Sequence, residues 1–163
     1  AQRMKLELAN KGLSPLTNRI KQGHLGNSKA YRTEIGRVIK ECLVGEYPNL
    51  SLDYSLVQIA EGKLQLPENI SVDIDDKNNS LDLSWDSDLK FPDKPGNQDD
   101  KMNIVCFNEK LSVAKLLYNT PKRSDGSASL RLPESWEIAD IHLWVYMTSY
   151  DLLINSKSIY LKF

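Results

Sequence analysis

Hydrophobic and polar positions trace their clearest pattern at the C-terminal end of the chain, over Ile141 to Phe163 (IHLWVYMTSYDLLINSKSIYLKF). Side chains on a strand point alternately to the two faces of a sheet, so Ile141, Leu143, Val145 and Met147 share one side and Trp144 and Tyr146 the other. Both sides are apolar. That predicts a strand in a sheet covered on both faces, then a turn near Asp151 to Asn155 and a returning strand.

The same alternation marks out earlier segments. Strands are predicted over Ile70 to Ile74, Leu81 to Trp85, Met102 to Phe107, Val113 to Tyr118 and Ala128 to Leu132, before Ile141 to Ser149 and Lys157 to Lys162. Seven short strands with turn residues at Asp76 to Asn79, Asn108 to Lys110 and Asp125-Gly126 have the spacing of an antiparallel β-sandwich. One connection, Asp86 to Asp100, is rich in Pro, Gly and charge and reads as an exposed loop.

Before Ile70 the period changes to that of helices. Met4 and Leu8 lie one turn apart, Gly12 interrupts, and Ser14-Pro15 reads as an N-cap with proline at the first helical position. Leu16 and Ile20 carry a second short helix to Gly23. The third has Ser28 as N-cap and Tyr31, Ile35, Val38, Ile39 and Cys42 on one face. Leu50, Leu52 and Tyr54 then alternate as a linking strand. The fold class expected is therefore α+β: a basic helical segment with a linking strand over 1–66, and a seven-stranded sandwich over 67–163.

The doubly apolar strand raises the question of what covers its second face. Val105, Phe107, Leu116 and Tyr118 should lie on the same side as Trp144 and Tyr146, and leaving such side chains in water costs about 1.5 to 3 kcal/mol each. Val105, Phe107, Trp144 and Tyr146 are thus the candidate partner or interdomain surface. The chain's own helices, presenting Tyr31, Ile35 and Ile39, are the favoured cover because large exposed apolar patches are rare on monomers. A second subunit or partner protein is the other.

Charge divides the chain in the same place. Residues 1–41 carry nine Lys and Arg against three Glu, and the remainder twelve against nineteen, within an overall balance of −1. Lys29, Arg32, Arg37 and Lys40 gather opposite the apolar stripe of the third helix and are the candidate polyanion contacts. A pI of about 6.2 and the lack of interleaved aromatics keep nucleic-acid binding a runner-up.

Other chemistry is sparse. Cys42 and Cys106 are far apart and read as buried free thiols. His24 and His142 fall in different regions, and no nucleophile elbow, phosphate loop or metalloprotease motif occurs, so no catalytic residue, cofactor or metal is assigned. Asp73, Asp75, Asp76, Asn78 and Asn79 imitate a calcium loop but carry Lys77 among them and lack the closing Glu, so they read as a turn. No apolar run approaches the about 20 residues of a membrane-spanning helix.

Leu81-Asp82-Leu83-Ser84-Trp85-Asp86 and the closing hairpin resemble a fibronectin type III domain over residues 70–163, except for a long loop after Trp85 and Pro133-Glu134-Ser135-Trp136 in place of a tyrosine corner. Motifs through most of the chain are similar to an uncharacterised bacterial family of the domain-of-unknown-function kind. They are Ala30-Tyr31-Arg32-Thr33, Gly45-Glu46-Tyr47-Pro48, Leu52-Asp53-Tyr54-Ser55, Leu83-Ser84-Trp85-Asp86, Arg123-Ser124-Asp125-Gly126 and Leu132-Pro133-Glu134-Ser135-Trp136. The resemblance implies no activity, and it implies a Gly- and Arg-rich segment ahead of Ala1. The expected function is a non-enzymatic structural or protein-interaction module that engages a protein partner or itself. Polyanion binding through the helices is the first alternative, and carbohydrate binding through Trp136 and the loop after Trp85 the second.

Overall fold

The structure is a computed structural model that describes residues 1–116 and 120–163. Its strands form where the alternation places them. They are β3 (Ser71–Asp75), β4 (Ser80–Ser84), β5 (Lys101–Asn108), β6 (Val113–Leu116), β7 (Ser127–Arg131), β8 (Ile141–Thr148) and β9 (Ile159–Leu161). β3, β4 and β7 make a three-stranded antiparallel sheet in that order, and β6, β5, β8 and β9 a four-stranded one. The two sheets face each other across Leu81, Leu83 and Leu130 on one side and Ile104, Cys106, Leu143, Val145 and Met147 on the other.

β9 is shorter than the alternation predicts, for a physical reason. Ser158 turns away from the ladder: its hydroxyl accepts the Ile59 amide at 3.0 Å and donates to Gln58 Oε1 at 2.8 Å, while its own amide donates to the Ala60 carbonyl. The returning strand is thus stitched to the segment before the sandwich. Tyr118, predicted on β6, lies outside the described residues.

Helices α1 (Gln2–Leu13), α2 (Thr17–Gly23) and α3 (Ala30–Glu41) lie over the outer face of the four-stranded sheet. Three local expectations change. α1 runs through Gly12, whose small side lets Leu52 and Tyr54 close in, with the Tyr54 hydroxyl donating to the Gly12 carbonyl at 2.9 Å. Ser14 does not cap α2; its hydroxyl donates back to the Lys11 carbonyl, and Ser14–Leu16 forms a 3-10 turn. At α3 the N-cap position falls on Lys29 rather than Ser28 and carries no side-chain cap; Asn27, just ahead, accepts the Lys29 amide at 3.0 Å.

The linking segment is also less of a strand than predicted. Only β2 (Ser51–Leu52) pairs, with β1 (Leu43–Val44), before Asp53 opens a 3-10 turn over Tyr54–Leu56 by accepting the Ser55 amide. Val57, Ile59 and Ala60 then run buried between helices and sheet. Gly23 meets this segment so closely that a Cβ there would stand 2.0 Å from the Ile59 carbonyl oxygen.

Candidate functional site

Val105, Phe107, Trp144 and Tyr146 come together on the outer face of β5 and β8, where Val105 pairs with Trp144 and with Leu116 across the ladder. All four are buried under Ala9 and Leu13 of α1, Leu16 of the 3-10 turn, Ile20 of α2 and Ile35 and Val38 of α3, with Tyr31 and Ile39 partly buried at the margin. Trp144 is 0% exposed, and its indole donates to the Val57 carbonyl at 3.0 Å. Burial pushes the Tyr146 phenol up to about 12. The chain's own helices therefore make a second hydrophobic core on this face.

The basic stripe divides. Lys29, Arg32 and Lys40 are exposed, whereas Arg37 is held inside a clasp. It donates to Glu34 at 2.6 Å, to Glu41 at 2.9 Å and to the Leu56 carbonyl at 2.7 Å, and buried Glu34 also accepts the Gln58 amide. The Glu34 hydrogen bond raises Arg37 above its ordinary pKa, in a group that ties α3 to the linking segment. Trp136 is buried as well, with Lys115 Nζ 5.4 Å from its ring centroid, so neither ring face is free as a sugar platform.

The calcium-like turn closes on itself. Asp75 accepts the Asn78 side chain at 2.7 Å and the Asn78 amide at 3.3 Å, and these bonds hold its carboxyl below the usual range. Among the described residues no three metal-ligating side chains gather. Cys42 and Cys106 are buried and unbridged, and burial pushes the Cys106 thiol up to about 12.

What the alternation did not single out is the tip between β8 and β9. Tyr150, Leu152 and Leu153 stand out from it into solvent, Leu153 at 73% exposure. Leu25 and Pro95 extend the apolar surface, sharing with Leu153 and Ile154 the walls of a hollow of about 420 Å³. A second hollow of about 440 Å³ on the other side is walled by Leu64, Pro95, Tyr150 and Leu153.

This tip is built, not loose. The Ser149 hydroxyl donates to Asp151 at 2.6 Å and accepts the amides of Leu153 and Ile154 at 3.1 and 3.0 Å. The Tyr150 amide donates to buried Asp100 at 3.0 Å. Buried Asn155 anchors the base, donating to the Gln22 and Gly23 carbonyls at the end of α2. The network holds Leu152 at φ 64°, a left-handed conformation that is uncommon and costly for a bulky side chain.

The Ser149 hydroxyl, and after it the Leu153 amide, hold the Asp151 carboxyl below its ordinary value. A depressed carboxylate stabilises the folded turn above the unfolded pKa of about 4, and that contribution is lost as pH falls through the folded value. Acidification below about pH 4 should therefore loosen this turn while the sandwich holds. Chemical shifts of the Leu153 and Ile154 amides should titrate there, and Asp151→Asn should flatten the curve.

Together these features define an α+β protein, a helical layer on a three-plus-four antiparallel sandwich, with an apolar tip in solvent between β8 and β9. A sequence model described as a family of unknown function (DUF6266) matches residues 1–162, and the chain belongs to that family. No curated protein matches the chain. A solved fn3 domain of human contactin 1 is similar at 12% identity and a TM-score of 0.33, over 73% of this chain and 92% of that one. The sandwich assignment rests on the strand pairing, not on that likeness. Among the described residues no helix is long and apolar enough to cross a membrane.

Proposed function

We propose that this chain is a non-enzymatic protein-interaction module whose contact surface is the β8–β9 tip with its two flanking hollows. One observation carries the reading: Tyr150, Leu152 and Leu153 are presented to water by a turn that a dense hydrogen-bond network holds in a strained backbone. Apolar side chains scattered over a surface need no explanation, but a contiguous patch on a rigid support is the usual mark of a protein contact. The helices and sandwich then serve as the rigid scaffold behind it. A partner presenting a small apolar face or segment fits, because aromatic and leucine anchors beside hollows bind such side chains.

A photo-crosslinking residue placed at Leu153, compared with one at exposed Ile74 on β3, tests this in cells that make the protein. A discrete crosslinked species should form at 153 alone. The partner so identified, once purified, should bind saturably and at least tenfold more weakly to Leu153→Asp, whose melting temperature should match the wild type because the side chain already lies in water. Equal crosslinking at both positions, or unchanged affinity for Leu153→Asp, would overturn the reading.

A further inference from the structure

A separate cluster sits at the other end of β8 and β9. The His142 ring packs at a tilt against Tyr54 with centroids 4.5 Å apart, and both of its nitrogens are engaged. Nε2 lies 2.6 Å from Glu109 Oε2, and Nδ1 lies 2.7 Å from the Tyr160 hydroxyl. An ionised carboxylate can only accept, so Nε2 carries the proton toward Glu109. An imidazole whose one proton sits on Nε2 accepts at Nδ1, and in that form the Tyr160 hydroxyl donates to it.

That assignment fixes what Tyr160 can offer elsewhere. With its proton committed to His142, the phenol oxygen has only lone pairs left to offer, and Tyr160 lines a hollow of about 490 Å³ beside the linking segment. Asp53 lines the same cavity. Both Ser55 bonds, from its amide at 3.0 Å and its hydroxyl at 2.6 Å, land on Oδ1, so Oδ2 has no protein donor among the described residues. Ile138, Ile141 and Phe163 supply apolar wall, and Lys162 stands on the lining too.

We infer that this cavity binds a primary ammonium group carried on an apolar chain, with Asp53 and the Tyr160 oxygen as its acceptors. Two acceptor-bearing residues lining one cavity, one of them a carboxylate, favour a multiply donating cation over a neutral or anionic group. Burial, and after it the Asp53 and Glu109 carboxylates, push the Tyr160 phenol up, which keeps it protonated. The site lies at the opposite end of β8 from the tip and stands independently of the interaction reading.

Titration of the full chain with hexylamine, followed by amide chemical shifts, tests the inference against hexanol, an uncharged chain of the same length. Hexylamine should shift the amides of 138–141 and 160–163 saturably, and hexanol at least tenfold more weakly. Asp53→Asn keeps an oxygen for the Ser55 amide but loses the charge, and it should weaken hexylamine at least tenfold. Tyr160→Phe should weaken it several-fold, and Lys162→Ala should bind it at least as tightly as the wild type. Equal shifts with hexanol, no saturable shifts at these residues, or unaltered affinity in a folded Asp53→Asn or Tyr160→Phe protein would overturn it.

Discussion

Trp144→Ala should lower the stability of the chain by about 3–5 kcal/mol, the range for emptying a fully buried large aromatic site. The indole fills the layer between helices and sheet, stands edge-on to Tyr160 with centroids 5.5 Å apart, and donates to the Val57 carbonyl. Removing it leaves a cavity beneath α1 and α2 and an unpaired buried carbonyl, and both terms add. Trp144→Phe keeps most of the volume and loses the hydrogen bond, so its cost should be the smaller. Denaturant melts of the three proteins measure the order, which would be contradicted by a wild-type midpoint in Trp144→Ala.

Asp100→Ala should cost a similar amount through different physics. Arg123 is 0% exposed and Asp100 1%, and they face each other at 3.3 Å. Arg123 also donates to the Gln65 carbonyl at 2.6 Å and the Asn97 carbonyl at 3.1 Å, and the Trp85 indole donates to the Arg123 carbonyl at 2.9 Å. Desolvation already lowers the Arg123 pKa, and Asp100 opposes it. Deleting the carboxylate strands a buried cation, an event that costs about 3–5 kcal/mol. It also frees the Tyr150 amide, so the tip should loosen with it. The double variant Asp100→Leu, Arg123→Met removes both charges and should fall short of the sum of the single losses by about 1 kcal/mol or more. Strict additivity would deny the coupling.

How much of this was readable beforehand differs by element. The strands were legible because alternation depends only on each residue's own face, and the burial of the second face of β8 followed from its lack of polar residues. Helix termini were less so. Ser14 and Ser28 have the right chemistry for caps, but α3 starts one residue later with Lys29 at its N-cap, and the Ser14 hydroxyl finds the Lys11 carbonyl, choices set by local backbone geometry.

Several of the motif residues act as fasteners. Arg123 of the Arg-Ser-Asp-Gly run is the buried hub of three loops, Gly126 supplies its left-handed turn at φ 69°, and Asp53 and Tyr54 close the 3-10 turn against α1. The loop from Asp86 to Asp100 is held from outside by Arg123, which donates to the Asn97 carbonyl, and by buried Gln65, which donates to the Phe91 and Lys94 carbonyls. The turn near Asp151 to Asn155 was legible, but the outward direction of its leucines was not, because alternation assigns faces only along a strand. Only the hydrogen bonds of Ser149 and Asp151, which reverse the chain there, turn two leucines outward.

Hydrogen exchange of the Trp144 indole N–H, measured on dilute protein and again at tenfold higher concentration, tests most directly whether the chain seals its own sheet. The expected result is slow exchange near the rate of global unfolding, the same at both concentrations. Fast exchange, or protection that appears only in the concentrated sample, would mean that the helices do not cover that face and that another subunit does.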